Sequence, residues 1–435
     1  MKVAIVGYGK QGRAAYDYWT AAGDEITVCD REENLELPSD VHQQLGEYYL
    51  NRLERFDIIV RSPAIHPRDI VAANSPAILA KVTTVTNEFL RVCPTHNVIG
   101  VTGTKGKGTT STLIAKMLEA DGQLVHLGGN IGTPPLDLLK DTIQPNDWVV
   151  LELANFQLID LRQSPHIAVC LMVVPEHLDW HADSDEYYNA KTQLFRYQTS
   201  DDIAIYYSKS EASKRIVSTS KGWKIPYMAF PGGTVTDGNI MIDDQKVCAT
   251  SELKLLGEHN WQNVCAAVTA VWKISQNIQA MRTVLTSFSG LPFRLEFRKE
   301  VNGVRYYNDS FASAPSAPLA ALASIAEPKV MIVGGFDRGL DLSELAEGFQ
   351  RQAETIRSVL IIGASGPRLA EACTKQGFTN FVMNEATDMS GIVKKASELA
   401  KSGDAVVLSP GFASFDMFKN FEERGLQFNA AVEAL

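Results

Sequence analysis

Short apolar runs, each ending in a turn and followed by an amphipathic stretch, recur along the chain and constrain its fold more than any other feature. The clearest runs are "NVIGVTG", "DWVVLEL", "HIAVCLMVV", "KVMIVGG", "SVLIIGA" and "DAVVLSPG". Strands that are apolar on both faces are typical of parallel sheets covered by helices. Strands that alternate with helices indicate the same architecture. The sequence therefore predicts an α/β fold.

The N-terminal segment has a glycine-rich turn between a strand and a helix. An apolar run is followed by Gly7-Tyr8-Gly9-Lys10-Gln11-Gly12, and the next run ends on Asp30. This spacing matches the dinucleotide-binding fingerprint, whose glycines bring backbone N–H groups close to a pyrophosphate. A single match also fits a tight turn with no ligand. A nucleotide-diphosphate site and an NAD-dependent oxidoreductase both stay open at this point.

A second glycine-rich loop, "VTGTKGKGTT" at 101–110, is similar to a phosphate-binding P-loop with its hydroxyl displaced by one residue. The usual pattern places Ser or Thr directly after the lysine, where the hydroxyl holds Mg²⁺. Here Gly108 follows Lys107, and the first hydroxyl belongs to Thr109. The segment predicts a strand, a phosphate-binding loop and a helix.

The length of 435 residues allows two or three domains. We expect three: a Rossmann-like domain at 1–93, a central P-loop ATPase-type domain with a parallel sheet at 94–292, and a C-terminal Rossmann-like domain at 293–435. The stretch 201–255 is rich in turns and alternates polar with apolar residues. That pattern predicts a small antiparallel excursion within the central domain.

Charge and composition exclude several classes of partner. A net charge of −10 argues against nucleic acid and against an anionic membrane surface. The longest apolar run is far too short to span a bilayer. The six cysteines are scattered without a CxxC pair, which favours reduced thiols. These observations predict a cytoplasmic protein. We further expect a monomer whose substrates are small molecules.

Two further polar residues follow apolar strands of the middle segment. Ligands of open α/β sheets collect beyond the carboxyl ends of the strands. Glu152 lies near the end of "DWVVLEL", and His177 follows "HIAVCLMVV". A carboxylate in an apolar strand is costly unless it is paired or bound to a cation. A structural ion pair would also explain Glu152, and a surface histidine would explain His177. Combined with the phosphate-binding loop, they favour a metal site.

Lys191 falls on the apolar face of a predicted helix, "DEYYNAKTQLFRY". Its neighbours at i−4, i+3 and i+4 are Tyr187, Leu194 and Phe195. Burial lowers the pKa of a lysine, and a neutral amine can add CO₂ to become a carbamate, an oxygen ligand suited to Mg²⁺. The pattern also fits a lysine whose head reaches water, and the helix alone favours that alternative.

Ten strings, in this order, resemble the Mur ligases, the ATP-dependent amide-forming enzymes of peptidoglycan precursor synthesis. The resemblance covers the whole chain, and the strings are "VTGTKGKGTT", "GGNIGTP", "LELANFQL", "EHLDWH", "YYNAKTQLF", "GEHNWQN", "LPFRLE", "NDSFA", "GGFDRGLDL" and "LSPGFASFDMFKNFEERG". The related folylpolyglutamate synthetases carry Gly-Lys-Gly-Ser in the P-loop, and this variant makes Thr109 the candidate Mg²⁺ ligand.

The resemblance implies two Mg²⁺ sites, with Thr109, Glu152, His177 and Lys191 as ligands and Lys191 carbamylated. It assigns catalysis to Lys107, Lys191, His177 and Asn130. ATP contacts fall on Gly103, Thr104, Lys105, Gly106, Lys107, Gly108, Thr109, Asn260, Asn263, Arg294 and Asp309. Substrate contacts fall on Gly7, Gly9, Asp30, Arg31, Asn130, Arg338, Ser414, Phe415 and Phe421.

The reaction implied is ATP-dependent addition of glutamate to UDP-MurNAc-L-Ala through an acyl phosphate. The glycine-rich turn at Gly7 is then assigned to the UDP-sugar diphosphate rather than to NAD.

At three positions near the amino-acid site, the chain departs from the Mur ligases that add glutamate. Phe311 stands where those ligases have a lysine in "NDSKA", Arg338 where they have the lysine of "GGxDKG", and Phe293 where they have the histidine of "LPHR". These departures leave the stereochemistry open, with D-glutamate favoured over L-glutamate. A folylpolyglutamate-type ligase is a further alternative, weakened by the additional N-terminal segment of about 90 residues.

Overall fold

The computed structural model describes residues 1–39, 41–130, 132–255, 257 and 259–435. The chain divides into two compact units. The first consists of Met1–Leu253 and His259–Thr286, and the second consists mainly of Ser287–Leu435. The mixed α/β architecture with parallel sheets confirms the predicted fold class. The domain boundaries at 93 and 292 stay predictions.

The first unit begins with a five-stranded parallel sheet in the order β3-β2-β1-β4-β5. Its strands are β1 Lys2–Val6, β2 Glu25–Asp30, β3 His42–Leu45, β4 Ile58–Arg61 and β5 Val82–Thr83. Its helices are α1 Lys10–Ala21, α2 Pro67–Ala73 and α3 Val85–Val92. A Cβ atom on Gly12 would lie 2.1 Å from the Gly7 carbonyl oxygen, so only glycine lets α1 pack this closely against the turn.

A six-stranded parallel sheet forms the centre of the same unit, in the order β11-β10-β9-β6-β8-β7. Its strands are β6 Val98–Thr102, β7 Val125–Gly129, β8 Trp148–Glu152, β9 Ile167–Cys170, β10 Ile203–Tyr207 and β11 Trp223–Tyr227. Its helices are α4 Lys107–Ala120, α5 Asn155–Leu158, α6 Ser184–Arg196, α7 Glu211–Val217, α8 His259–Trp272 and α9 Ile278–Ser287. The core of this sheet is continuous with that of the N-terminal sheet.

The small antiparallel excursion predicted within 201–255 is confirmed. It consists of β12 Thr234–Thr236, β13 Asn239–Ile242 and β14 Gln245–Ala249. The earlier part of the same stretch contains β10 and β11, which extend the parallel sheet.

The second unit contains a six-stranded sheet in the order β15-β16-β20-β17-β18-β19. Its strands are β15 Glu296–Val301, β16 Val304–Asn308, β17 Lys329–Gly334, β18 Ile356–Ile362, β19 Phe381–Met383 and β20 Ala405–Leu408. Its helices are α10 Ser316–Ser324, α11 Ser343–Arg351, α12 Gly366–Lys375, α13 Met389–Leu399 and α14 Phe421–Glu433. The β15–β16 pair is antiparallel and the other pairs are parallel. None of the described helices has the length and apolar character needed to cross a membrane.

Candidate active site

The predicted phosphate-binding loop joins β6 to α4 in the middle of the central sheet. Gly106 precedes the helix in a left-handed conformation, with φ of +87°. A Cβ atom there would lie 2.1 Å from Asn263 Oδ1, so this position requires glycine for two independent reasons. The first N–H groups of an α-helix have no intrahelical partner, so the start of α4 suits an anion.

Lys107 lies at the first position of α4, and its ammonium group folds back over the loop. Its Nζ donates to the carbonyl oxygens of Gly103 (3.1 Å) and Thr104 (2.9 Å). The Thr104 hydroxyl accepts a hydrogen bond from the backbone N–H of Val174 at 3.0 Å, which links the loop to the segment after β9. Gly108 is buried, whereas Lys105 is exposed at the tip of the loop. The loop is therefore preformed.

Thr109 and Thr110 are both buried, but they differ in access. Thr109 keeps 5% of its surface exposed and Thr110 none. Within the described part of the chain, the Thr110 hydroxyl has no hydrogen-bond partner. A hydroxyl fully enclosed by protein is poorly placed to reach a ligand, which supports the choice of Thr109.

Glu152 is the last residue of β8 and lies buried beside the end of β7. Asn130, which follows β7, donates from Nδ2 to Glu152 Oε1 at 3.1 Å. The backbone N–H of Asn130 also donates to the Glu152 carbonyl oxygen at 2.8 Å. The two residues, predicted separately, form one hydrogen-bonded pair at the carboxyl edge of the sheet.

Lys191 is fully buried on the face of α6 that it shares with Tyr187 and Phe195. Its Nζ lies 4.5 Å from the centre of the Tyr187 ring and donates to the Gly103 carbonyl oxygen at 3.1 Å. Burial, reinforced by the charge of Lys107, lowers the pKa of Lys191 to about 7. The alternative of a head group in water is excluded, and about half of the amine is neutral at pH 7.

His177 lies in the segment between β9 and α6, with a left-handed backbone (φ +60°). Its side chain is 41% exposed, and its ring centre is 4.8 Å from that of Phe156, four residues after Glu152. A carboxylate and an imidazole, with a lysine able to become an anionic oxygen donor, suit a divalent cation. The Glu152 carboxylate and a carbamate on Lys191 are oxygen donors of the kind that Mg²⁺ prefers, and His177 would add an imidazole.

Asn263 and Asn260 lie on α8 beside the phosphate-binding loop. Asn263 Nδ2 donates to Asn260 Oδ1 at 2.8 Å, and Asn263 Oδ1 occupies the space beside Gly106. Both predicted ATP contacts are thus brought to the loop. The string "GEHNWQN" also includes Glu258, which lies outside the described residues.

The N-terminal glycine turn is held by Asp30. One carboxylate oxygen accepts from the Tyr8 N–H at 2.7 Å, and the other accepts from the Glu32 N–H at 3.0 Å. Gly9 and Arg31 are exposed beside it, and open space surrounds Gly9. Asp30 therefore shapes the turn, while Gly9 and Arg31 are available to a ligand.

In the second unit, Asp309 follows β16 and is buried. It accepts from the Ser409 hydroxyl at 2.7 Å and from the Leu295 N–H at 3.1 Å. Burial raises its pKa to about 6, although both hydrogen bonds and the nearby Arg294 act in the opposite direction. The guanidinium of Arg294 lies 4.6 Å from the centre of the Phe311 ring.

Two of the three unusual residues of this region lie together. The Phe293 and Phe311 rings each contact Phe421 at the start of α14, at 6.4 and 5.1 Å between ring centres. The backbone N–H of Phe311 donates to the Phe293 carbonyl oxygen at 2.9 Å. Two replacements of a basic residue thus create an aromatic cluster.

The remaining predicted substrate residues follow β17 and β20. Arg338 is exposed, Ser414 is buried, and Phe415 is 62% exposed with its ring 6.3 Å from Phe336. The two segments meet through the backbone, because Phe336 donates to the Ala413 carbonyl oxygen. The fold therefore brings Arg338 and Ser414 to one edge of this sheet.

Sequence reasoning missed Arg424, which is buried in α14. Its guanidinium donates to Ser310 Oγ (3.0 Å), the Ser310 carbonyl oxygen (2.8 Å) and the Phe412 carbonyl oxygen (3.2 Å). Burial lowers its pKa to about 10. Arg424 thus ties the Asp309 loop to the segment carrying Ser414. Only its place within "FEERG" could have drawn attention to it.

The chain is similar to known protein families and to curated proteins over nearly its whole length. Residues 101–271 match the Mur ligase middle domain, and residues 293–412 match the glutamate ligase domain of Mur ligases. The UDP-N-acetylmuramoylalanine–D-glutamate ligase of Clostridium kluyveri is 36% identical, over 99% of this chain and 96% of its own length. The enzyme of that name from Clostridium tetani is 34% identical, over 100% and 97%.

Solved structures support the fold. UDP-N-acetylmuramate-alanine ligase MurC of Thermotoga maritima has a TM-score of 0.61 at 15% identity, over 100% of this chain and 99% of its own. MurF of Acinetobacter baumannii has a TM-score of 0.63 at 15% identity, over 99% and 93%. These two similarities are structural and concern the fold alone.

Proposed function

Because the chain belongs to the Mur ligase family and is an ATP-dependent amide-bond-forming ligase, we propose that it joins D-glutamate to UDP-N-acetylmuramoyl-L-alanine. Full-length relatives at 34–36% identity are named for D-glutamate addition to UDP-N-acetylmuramoylalanine, which supports this substrate pair. The similarity to those relatives covers the N-terminal sheet as well. It disfavours a folylpolyglutamate-type ligase and an oxidoreductase built on the Gly7 turn.

The observation that carries the proposal is the burial of Lys191 against the phosphate-binding loop. A lysine with a pKa of about 7 is a nucleophile at physiological pH, whereas an ordinary lysine is neutral in only about one molecule of 2,500. Its neutral nitrogen attacks CO₂, forms the N–C bond and loses one proton. The product is a carbamate anion. The burial that disfavours the ammonium thus prepares the side chain for modification.

Four residues at the carboxyl edge of the central sheet would hold Mg²⁺. Glu152, His177 and carbamylated Lys191 form one donor set, and Thr109 supplies the hydroxyl of a second set beside the nucleotide phosphates. When bound, Mg²⁺ neutralises charge on the phosphoryl oxygens. Asn130, hydrogen-bonded to Glu152 at 3.1 Å, would keep that carboxylate aligned and contact the reacting carboxyl group.

The reaction then proceeds in two transfers. The substrate carboxylate attacks the γ-phosphorus of ATP, and the bond to ADP breaks to give an acyl phosphate and ADP. The glutamate amine, after losing a proton, attacks the acyl carbon, and phosphate leaves with the bonding electrons. Lys107 and the N–H groups of α4 stabilise the charge of the transferring phosphoryl group, so positioning and electrostatics provide most of the catalysis.

The UDP diphosphate and the incoming glutamate would be bound by residues of the N-terminal and C-terminal sheets. The Gly7–Gly9 turn and Arg31 offer backbone N–H groups and a cation to the UDP diphosphate. In the second unit, Arg338, Ser414 and Phe421 would bind glutamate, with Arg338 gripping the side-chain carboxylate through two parallel hydrogen bonds. The monomeric state and the cytoplasmic location stay predictions.

A phosphate-release assay tests the proposal. The purified chain is incubated with ATP, Mg²⁺ and UDP-N-acetylmuramoyl-L-alanine, and each of D-glutamate, L-glutamate and other amino acids is offered in turn. We expect rapid phosphate release with D-glutamate alone, with the matching dipeptide product identified by mass spectrometry. Release with L-glutamate would reverse the stereochemistry, and the absence of release with either would contradict the substrate pair.

A further inference from the structure

A buried hydrogen-bond network joins the segments that carry the proposed metal ligands. It consists of His66, Asn155, His181 and Glu186, and we refer to it as the Glu186 network. His66, Asn155 and His181 are buried, and Glu186 lies at the start of α6 with its side chain 29% exposed. None of these residues was singled out from the sequence, and the proposed reaction uses none of them directly.

Glu186 Oε2 is the centre of the network. It accepts from the Ala182 N–H at 2.8 Å and lies 3.2 Å from His181 Nδ1 and 3.3 Å from His66 Nε2. The far nitrogens of both rings are also occupied. The Arg68 N–H donates to His66 Nδ1 at 3.0 Å, and the Asn155 amide lies 2.7 Å from His181 Nε2.

These partners fix the proton on each ring. Because an N–H group points at His66 Nδ1, that nitrogen is an acceptor and the proton lies on Nε2, facing Glu186. The Asn155 amide has the same effect on His181, whose Nδ1 proton also faces Glu186. Burial lowers the pKa of both histidines, which favours their neutral forms. One carboxylate oxygen therefore accepts from two neutral rings and one backbone N–H.

The same geometry argues against a metal ion within the network. The ligand atoms of His66, His181 and Glu186 lie within 4.8 Å of one another, as they would around a cation. A metal on His66 Nε2 would move the ring proton to Nδ1, where it would oppose the Arg68 N–H. The residues are therefore joined by hydrogen bonds.

The three ligands of the first proposed Mg²⁺ set each lie within five residues, along the chain, of a member of the network. Asn155 follows Glu152 by three residues, and Glu186 precedes Lys191 by five on α6. The His181 N–H donates to the His177 carbonyl oxygen at 2.9 Å. His177 has a left-handed backbone that non-glycine residues rarely adopt, so its conformation depends on its surroundings.

We propose that the Glu186 network positions the proposed metal ligands, so that divalent-cation affinity depends on Glu186, His181 and His66. The inference rests on the proposed function, which assigns Mg²⁺ to Glu152, His177 and Lys191. His66 extends the network to the loop after β4, and thereby anchors the metal-ligand segments to the N-terminal sheet. Mutation of the residues that hydrogen-bond to metal ligands typically lowers metal affinity by about 10- to 100-fold.

The chain provides a matched control in a second group of two histidines and a carboxylate: His96, His166 and Asp202. His166 Nδ1 lies 3.1 Å from Asp202 Oδ1. Both residues directly precede strands β9 and β10, so this group lies at the amino edge of the central sheet, away from the proposed ligands. Its loss should affect stability alone.

The experiment measures Mn²⁺ binding to the full chain by electron paramagnetic resonance, with ADP and bicarbonate present, together with the melting temperature. We expect Glu186→Ala to raise the Mn²⁺ dissociation constant by about 10- to 100-fold. Glu186→Gln, whose amide oxygen can accept the same bonds, should stay within about threefold of the wild type. Asp202→Ala should lower the melting temperature and leave Mn²⁺ affinity unchanged.

His181 provides a second pair in case Glu186→Ala fails to fold. His181→Asn keeps an N–H at the position of Nδ1 and should bind Mn²⁺ more tightly than His181→Ala. Wild-type Mn²⁺ affinity in folded Glu186→Ala or His181→Ala would overturn this inference alone. A wild-type protein that binds no Mn²⁺ would overturn the proposed metal site and the inference with it. Zn²⁺ that survives dialysis in the wild type and is lost in His66→Ala would contradict the hydrogen-bonded network.

Discussion

The carboxyl edge of the central sheet buries its lysine, whereas the carboxyl edge of the C-terminal sheet exposes its arginine. At the central edge, Lys191 is fully buried and donates to the Gly103 carbonyl oxygen, and Glu152 is buried and accepts from Asn130. At the C-terminal edge, Ser414 is buried but Arg338 is exposed. Burying charged groups opposes folding, and buried groups with shifted pKa values are frequent at functional sites. We infer that the central edge performs the chemistry and the exposed edge selects the amino acid.

Replacement of Lys191 should have the largest effect at the central edge. Lys191→Ala should lower phosphate release by at least about 100-fold, since preorganised charge stabilisation at the phosphoryl group is lost. Short carboxylates such as acetate at high concentration should restore part of the activity by replacing the carbamate. A fully active variant would disprove the role of Lys191.

Lys329 is the matched control for Lys191. It is also buried, and burial lowers its pKa, but it lies at the start of β17 in the second unit. Lys329→Ala should alter the melting temperature without a comparable loss of kcat, and carboxylates should have no effect on it.

Thr109 and Thr110 of α4 test which hydroxyl at the central edge serves as a Mg²⁺ ligand. Thr109→Ala should reduce Mg²⁺-dependent ATP turnover by about 10- to 100-fold, because a ligand hydroxyl is lost, while Thr109→Ser should retain activity. Thr110→Ala removes a buried hydroxyl that has no partner among the described residues, so it should cost little stability or activity. Equal losses of kcat/KM for ATP in Thr109→Ala and Thr110→Ala would contradict the assignment of the Mg²⁺ ligand to Thr109.

Arg338 tests the exposed edge. Arg338→Ala should raise the KM for glutamate about ten- to a hundredfold, from loss of a charge-assisted contact of ~1.5–3 kcal/mol. The KM values for ATP and the UDP-sugar should change little. Arg368→Ala is the control, because that arginine pairs with Asp337 at 2.5 Å on the same surface. A fall in ATP affinity for Arg338→Ala would instead assign Arg338 to phosphate.

Asp309 tests the C-terminal sheet through protein stability instead of activity. Its pKa of about 6 exceeds the unfolded value of ~3.9, so the folded state binds the extra proton between these two values. Protonated Asp309 makes its full contribution to the unfolding free energy below pH ~4. This contribution is lost as pH rises through about 6. The unfolding free energy of Asp309→Asn relative to wild type should therefore increase over this window, by on the order of 2–3 kcal/mol.

Asp404 is the opposite case and serves as control. The hydrogen-bonded Arg357 lowers the pKa of Asp404. Its contribution to stability is present above the unfolded pKa and is lost as pH falls through the lower folded value, so Asp404→Asn should be destabilised at neutral pH. Thermal denaturation against pH separates the two patterns, and parallel profiles would contradict the burial argument for Asp309.

The sequence predicts the central strands better than the outer ones. Strands such as β9 and β20 are continuous apolar runs, which the sequence shows directly. β3 is "HQQL" and only partly buried, so its extended form comes from pairing with β2, which no local pattern encodes. The parallel pairing of β10 with β11 depends in the same way on the neighbouring sheet.

The candidate site shows the same limit. The spacing of Lys191 places it on the apolar face of α6, because its relevant neighbours are within four residues, but only the fold shows that the ammonium group is buried. His66 and Glu186 are 120 positions apart, and Arg424 and Ser310 are 114 apart. Such pairs are brought together by the fold alone. The sequence therefore predicts the residues that carry the chemistry more readily than those that hold them in place.

The most direct test of the central claim is carbon-13 NMR of the protein equilibrated with ¹³C-labelled bicarbonate. We predict a carbamate carbon signal in the wild type that persists in Lys329→Ala and disappears in Lys191→Met. The signal should increase as pH rises through about 7, where burial places the pKa of Lys191 and the neutral amine becomes the main form. The same spectrum from wild type and Lys191→Met would contradict the account.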